Sequence, residues 1–401
     1  MSIRLLSVSS SRSAPGSKFF SRVLSSIDYF MTMKKMAFSL IVIGVFLCTV
    51  VTAWPQERKA IPSSWDPRAA ASYLDGRQNW WMTWPNAARD HDTFCVTCHT
   101  AVPYALARPA LRKALGERDL SRTEQGLLNN VTKRVRLWKE VEPFFADQTN
   151  GLPKTSESRG TEAVINALIL ASYDAGKDAL SDDTRQAFNN LWALQFKTGE
   201  LKGGWAWFSF GLEPWESQGG PYFGATLAAI AVGNAPSGYA ASPDVQERLK
   251  ALGDFLQRRV EKESLFNRVM ALWASTKLPT LLFPSQRQAI IDDVLRLQKD
   301  DGGWSMSSLG PWKRVDGTPL DVNSDGYATG LIVLVLREFG GASTQTATQK
   351  ALTWLVRHQD PTSGMWAASS LNKQRDATSE IGKFMSDAAT GFAVAALTRT
   401  H

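Results

Sequence analysis

The sequence predicts an all-α fold, and three observations support that prediction. Helical periodicity recurs along most of the 401 residues, strand patterns are nearly absent, and one turn sequence returns several times. Each copy of the turn begins at a helix end with Gln, continues through a short polar stretch, and finishes in Gly and Trp. The copies read LWALQFKTGELKGGW (191–205), VLRLQKDDGGW (294–304) and TWLVRHQDPTSGMW (353–366).

Twelve helices are predicted, and they alternate between two kinds. One kind is apolar and rich in small residues, as a buried inner helix would be, whereas the other carries Arg, Lys, Glu and Gln on one face. The ranges are 66–80, 100–114, 121–141, 160–174, 182–195, 222–233, 243–261, 265–277, 285–299, 326–338, 345–358 and 385–398. Six helical hairpins closed into a ring, an α6/α6 toroid with a central cavity, would accommodate this alternation.

The apolar helices after the turns share one repeat period. They read SQGGPYFGATLAAIAVG, NSDGYATGLIVLVLREF and MSDAATGFAVAALTR, and a fourth copy, SRGTEAVINALILASYDAG, lacks the preceding turn. A shared Ala falls at 163, 225, 328 and 389, with spacings of 62 between the first pair and 61 between the last. The segment NRVMALWASTKL fills the remaining gap as a degenerate unit. In each turn, Gly permits the positive φ that the backbone needs.

The turns and the SDGYATG-type helix starts resemble the squalene–hopene cyclase and prenyltransferase superfamily, over roughly residues 150–401. The resemblance implies an α/α toroid. The bacterial cyclases carry an acidic D-x-D-D motif whose aspartate protonates an alkene. The nearest match here is LDVNSD (320–325), which lacks the paired aspartates. If the chain has cyclase-like chemistry, Asp325 in this stretch is the candidate acid.

The N-terminal segment, residues 1–53, reads as an extension followed by an export signal. Lys34 and Lys35 precede the apolar run MAFSLIVIGVFLCTVV, and Val51-Thr52-Ala53 forms a cleavage signature. This predicts a periplasmic protein whose residues 54–401 form a single toroid domain. The alternative is an uncleaved anchor in the inner membrane, which would be the only membrane contact.

Charge does not indicate a nucleic-acid partner. The net charge is +7, but residues 1–53 contain six Lys or Arg against one Asp, so five of these charges belong to the signal segment. In the rest of the chain, charges of both signs are mixed.

Two of the three cysteines lie in CVTCH (95–99), the attachment signature of a c-type haem. The thiols of Cys95 and Cys98 add to the haem vinyl groups, and the adjacent His99 becomes the proximal iron ligand. One covalent haem c is therefore predicted, and attachment on the exported side of a bacterial membrane agrees with the signal.

Two other interpretations of the motif stay open. A zinc site would need two more ligands, and His91, His358 and His401 are the only other histidines. A C-x-x-C redox pair is expected in a βαβ context, which the pattern does not predict, and a disulfide here would close too small a loop to stabilise much.

The repeat places the haem motif at the mouth of the predicted cavity. Aligning HTAVPYALA (99–107) with TEAVINALI (161–169) puts Ala101 on Ala163, one period of 62 apart. The preceding stretch, YLDGRQNWWMTWP, resembles an outer-helix end, with Gln78 at the turn position and a cluster of Trp80, Trp81 and Trp84.

The second axial ligand is not determined by the motif. Cytochromes with two axial ligands use Met or His, and the candidates are Met385, His91, Met82 and Met306. Met385 directly precedes an inner helix at the equivalent mouth position.

Four functions are consistent with these features. Electron transfer through the haem to a redox partner protein comes first, followed by a haem enzyme that admits an apolar small molecule to the cavity. A terpenoid-cyclase-like enzyme with Asp325 as acid is third, and a binding scaffold is fourth. Asp325 and Asp387 each stand before or at the start of an apolar helix, which is also the position of a helix N-cap.

Overall fold

The computed structural model describes residues 65–236 and 238–399, all within the compact unit Ile61–His401. This unit is all-α, as predicted, and the predicted export signal lies outside the described residues. Among the helices that are described, none is long and apolar enough to cross a membrane.

All twelve predicted helices are present. The described α-helices are α1 (Pro67–Thr83), α2 (Ala101–Ala114), α3 (Arg122–Arg136), α4 (Asp147–Asn150), α5 (Lys154–Asp174), α6 (Asp182–Ala193), α7 (Gly220–Asn234), α8 (Pro243–Arg259), α9 (Leu265–Lys277), α10 (Pro284–Arg296), α11 (Gly326–Phe339), α12 (Ala342–Arg357) and α13 (Phe384–Thr398). The one-turn helix α4 was not predicted, α3 ends earlier than expected, and α5 begins six residues before the predicted start.

Short elements connect the helices. Strands β1 (Ala88–Arg89) and β2 (Thr93–Phe94) form an antiparallel hairpin in which Ala88 faces Phe94 and Arg89 faces Thr93. The 3₁₀ turns are Pro85–Ala87, Val260–Lys262, Pro279–Leu281 and Met306–Ser308.

The predicted alternation of buried and amphipathic helices is confirmed. The buried helices are α2, α5, α7, α9, α11 and α13; each packs against the next, and α13 packs against α2. Small residues allow this close approach. A Cβ on Gly330 of α11 would lie 2.6 Å from the backbone nitrogen of Ala393 in α13. On Gly391 of α13 it would lie 2.5 Å from Pro103 in α2.

The three Gln–Gly–Trp turns are built alike. Trp205, Trp304 and Trp366 are each 0% exposed, and each indole N–H donates to a carbonyl near the end of the preceding helix. The Gln side chain donates to the carbonyl of a turn glycine, at 3.0 Å for Gln195 and 2.8 Å for Gln298. It also reaches the following amphipathic helix, since Gln195 donates to Arg248 O and Gln298 to Ala347 O.

The third turn joins the two ends of the described chain. The Gln359 amide donates to the carbonyl of Asp66 at 2.8 Å and accepts from the backbone N–H of Asp66 at 2.6 Å. Asp66 is the N-cap of α1. The last turn therefore holds the first amphipathic helix in the way that the earlier turns hold their neighbours.

Gln78 does not belong to this set, and its predicted turn role is wrong. It lies within α1, whereas Gln195, Gln298 and Gln359 follow the ends of their helices. Gln78 is fully buried, and its amide has no hydrogen-bond partner among the described residues.

Candidate functional site

The haem motif lies in a loop of residues 84–100, called the site loop below, which is fixed by two neighbouring helices. The Asn130 amide of α3 pairs with both the N–H and the carbonyl of Phe94, at 2.8 and 3.0 Å, as a neighbouring strand would. The Trp81 indole of α1 donates to the carbonyl of Cys95 at 2.6 Å. The loop backbone is thereby held at Phe94 and at Cys95, the first cysteine of the motif.

A buried ion pair between α3 and α5 also contacts the site loop. Arg134 of α3 and Glu162 of α5 are both fully buried and are joined by two N–H···O bonds. A third guanidinium N–H donates to the hydroxyl of Thr93 in the site loop. Because a buried ion needs all its partners, the pair fixes the loop to two helices at once.

Cys95 and Cys98 are free thiols in the hydrophobic core, 7% and 4% exposed. Burial raises the pKa of Cys95 to about 12 and that of Cys98 well above its ordinary value, and the nearby Glu216 adds to both shifts. A reactive redox cysteine needs a lowered pKa, so this environment does not favour the redox-pair interpretation.

The partly buried His99 ring is enclosed by aromatic side chains from three separate segments. Phe384 stacks on it with ring centroids 3.8 Å apart, Trp81 meets it edge-on at 5.2 Å, and Trp215 lies at 5.9 Å. Burial, with a smaller contribution from Arg77, lowers the pKa of His99 to about 3. The imidazole is therefore neutral near pH 7, the form that binds a metal.

A hydrogen-bonded chain determines which nitrogen of His99 carries the proton. The Thr100 hydroxyl donates to Asp387 Oδ2 at 2.7 Å and lies 2.8 Å from His99 Nδ1. Since the single hydroxyl proton is used by the carboxylate, the hydroxyl accepts from Nδ1–H. No described residue hydrogen-bonds Nε2, so its lone pair is available.

Asp387 is the residue of this site whose role the sequence did not predict. Its expected N-cap role is wrong, because α13 begins at Phe384 with Lys383 as the cap residue, which places Asp387 in the first turn. It is instead the centre of the Asp387 cluster, formed by Tyr73, Arg77, Thr100 and Asp387. A signal was present: His99 and Asp387 each stand two residues before the shared Ala of their units.

The Trp cluster beside His99 extends to an open groove. Trp80 and Trp84 stack at 5.1 Å, and both contact Trp81. They line a groove of about 540 Å³ with residues of the loop 373–381. Within the cluster, Trp81 touches His99 directly.

The candidates for a second axial ligand lie in different environments. Met385 and Met306 are buried, at 3% and 2% exposure, and Met385 directly follows Phe384, which stacks on His99. Met82 lies against Gly126, at about 3.1 Å from the position of a Cβ there. His91 is exposed and pairs with Asp90 at 2.7 Å.

Asp325 is a helix cap, as the sequence allowed. Its Oδ1 accepts from the N–H groups of Tyr327 and Ala328, and its Oδ2 from Met306 N–H. Burial raises its pKa to about 7, against these three backbone donors. The cavity that it lines measures about 10 Å³, room for about one water molecule.

Comparison with known proteins adds no family assignment. No family model matches the sequence, and no curated protein matches it. In the part of the chain that the structure describes, no group of three or more His, Cys, Asp or Glu side chains is arranged to hold a metal ion.

Proposed function

We propose that this chain is an exported c-type haem protein that transfers electrons through one covalently bound haem. The observation that carries the proposal is the site loop itself. It contains two free thiols that are separated by two residues and, next to them, a neutral imidazole whose Nε2 is available.

The donor set fits a covalent haem. Cys95 and Cys98 would hold the macrocycle and His99 would ligate the iron through Nε2, because Nδ1 is occupied by Thr100. The bound haem would supply a one-electron redox couple. The protein's own contribution is an aromatic, largely apolar enclosure of the His99 ring by Trp81, Trp215 and Phe384.

The proposed architecture is the α6/α6 toroid of the squalene–hopene cyclase and prenyltransferase superfamily. Three observations support it: six buried helices that contact one another in a closed order, six amphipathic helices that alternate with them, and the Gln359–Asp66 bonds between the last turn and α1. In this arrangement the site loop precedes the buried helix α2, at the mouth of the ring.

The location and partner follow from the haem proposal. Covalent attachment on the exported side of a bacterial membrane and the signal within residues 1–53 support a periplasmic protein. Its partner would be a redox protein that exchanges single electrons with the iron.

Coexpression with the cytochrome c maturation machinery tests the proposal. We expect the wild-type protein to keep its haem through denaturing electrophoresis. Replacing both thiols (Cys95→Ser with Cys98→Ser) should remove the haem-stained band, and His99→Ala should remove or severely weaken it. The matched control is His358→Ala, which changes an exposed histidine outside the site loop that is not a candidate ligand and should leave the band unchanged.

The spectrum of the matured protein decides between electron transfer and haem catalysis. Six-coordinate, low-spin iron that does not bind carbon monoxide supports electron transfer, because both axial positions are then filled. High-spin iron that binds carbon monoxide would instead support an enzyme with a substrate position. A wild-type protein without covalent haem would overturn the proposal.

A further inference from the structure

The Asp387 cluster has no role in holding the thiols, yet it is built around the imidazole beside them. Its members come from α1 (Tyr73 and Arg77), the end of the site loop (Thr100) and the first turn of α13 (Asp387). Arg77, Thr100 and Asp387 are 5%, 2% and 1% exposed. A charge buried this deeply is costly unless it is fully partnered, so a physical reason for its position is required.

Asp387 is fully partnered, and all its partners are donors. Its Oδ1 accepts from Arg77 Nε at 2.7 Å and from the Tyr73 hydroxyl at 2.9 Å. Its Oδ2 accepts from Arg77 Nη2 at 3.0 Å and from the Thr100 hydroxyl at 2.7 Å. A protonated carboxyl would have to give up one of these bonds to donate its own proton. Burial raises the pKa of Asp387 and Arg77 opposes this; the four donors hold it as a carboxylate.

Thr100 is unusual for the residue that precedes a helix. It is the N-cap residue of α2, but its hydroxyl makes no cap bond. The neighbouring Thr97 hydroxyl instead accepts from the N–H groups of Thr100 and Ala101. The Thr100 hydroxyl is thereby left to join His99 to Asp387.

We infer that Thr100 and Asp387 are positioning residues for His99, which hold its proton on Nδ1 and direct Nε2 to act as the metal-binding nitrogen. The inference rests on the proposed haem function for its purpose, but the geometry stands without it. The carboxylate draws the hydroxyl proton, and the hydroxyl oxygen in turn accepts from the imidazole. Such an acceptor at Nδ1–H raises the basicity of the ligating nitrogen, which stabilises ferric over ferrous iron and lowers the reduction potential.

The test is the reduction potential of the matured protein with Thr100 changed. Thr100→Val keeps the shape of the side chain and removes the hydroxyl, so the potential should shift to a more positive value. Thr100→Ser keeps the hydroxyl and should leave the potential near that of the wild type. The control is Glu380→Gln, which removes a negative charge that contacts Arg77 but not Asp387 or Thr100; its shift should be smaller than that of Thr100→Val.

A second measurement separates this inference from the haem proposal. In the full-length chain produced without the maturation machinery, ¹⁵N NMR reports which imidazole nitrogen of His99 is protonated. We expect Nδ1–H in the wild type, and a shift towards Nε2–H in Thr100→Val. This measurement needs no haem, and its wild-type part needs no variant to fold.

The outcomes are distinct. Covalent haem with an unchanged potential in Thr100→Val would overturn the inference and leave the haem proposal standing. Absence of haem together with Nδ1–H in the wild-type chain would overturn the haem proposal and support the positioning role. Protonation on Nε2 in the wild-type chain would overturn the inference in either case.

Discussion

Single side chains at the turns carry much of the packing. Trp304 is fully buried, its indole donates to Val294 O at 2.8 Å, and its own backbone N–H donates to the hydroxyl of Thr329 at 3.0 Å. Through its side chain and its backbone together, Trp304 connects a helix end with the buried helix that follows the turn. Trp366 repeats this arrangement with Leu355 and Thr390.

Replacing Trp304 by Ala should strongly destabilise the protein. The change empties a large buried site and leaves the Val294 carbonyl without its donor, which predicts a loss of about 3–5 kcal/mol in the free energy of unfolding. Urea denaturation measures this loss. Val322→Ala, at a side chain that is 64% exposed in the next loop, is the control and should change the value by less than about 0.5 kcal/mol. An equal effect of the two changes would contradict the structural role of Trp304.

At the scale of elements, the glutamines after the amphipathic helices act as connectors between successive hairpins. Each one binds its own turn and the next amphipathic helix. Only Gln359 reaches a residue almost 300 positions away, because the next helix in space is α1. Loss of its amide should therefore weaken both the start of α1 and the turn that follows α12.

Removing the Gln359 amide should loosen α1. Gln359→Leu deletes the bonds to Asp66 and to Gly364 O, and we expect a loss of about 1–3 kcal/mol. Urea denaturation gives the total. Relative to the wild type, the variant should show faster amide hydrogen exchange in the first turn of α1, whereas exchange in α9 should change less. Gln288→Leu, on the exposed side of α10, is the matched control. Unaltered exchange in α1 would rule out the connecting role.

At the scale of the whole molecule, burial of the site shifts the pKa of a carboxyl group beside it, and this makes the stability of the fold depend on pH. Burial raises the pKa of Glu216 to about 7, although Lys154 opposes the shift, and Glu216 lies near both thiols. A raised carboxyl pKa means that the folded protein holds a proton that the unfolded chain releases. Its contribution to stability is therefore present below the unfolded pKa, near 4.5, and is lost as the pH rises through about 7.

Glu216→Gln should remove this dependence. The variant should match the wild type near pH 4.5 and exceed its stability by up to about 3 kcal/mol at pH 8, because only the wild type has to ionise a partly buried carboxyl group. Thermal or urea unfolding across this pH range measures the difference. Glu247→Gln, which changes an exposed carboxyl of α8, is the matched control and is measured in the same way. A pH-independent difference for Glu216→Gln would contradict the prediction.

Local sequence patterns predicted the helices, but they could not predict contacts between residues that are far apart in the chain. All twelve helices were recognised because apolar periodicity, caps and glycine turns are local, and Asp325 was recognised as a cap for the same reason. The carboxylate of Asp387 could not be placed, because its partners are about 290 to 315 residues away. The predicted turn role of Gln78 was wrong because a single Gln does not show where a helix ends, and α1 continues past it to Thr83.

The enclosure of His99 by Trp81, Trp215 and Phe384 also sets an order of events during folding. Phe384 and Asp387 belong to the last described helix, so the imidazole is not fully enclosed until that helix has docked. The thiols beside it are nearly inaccessible in the finished fold. Any group that modified these thiols would therefore have to reach them before α13 docks, because docking of this helix completes the enclosure.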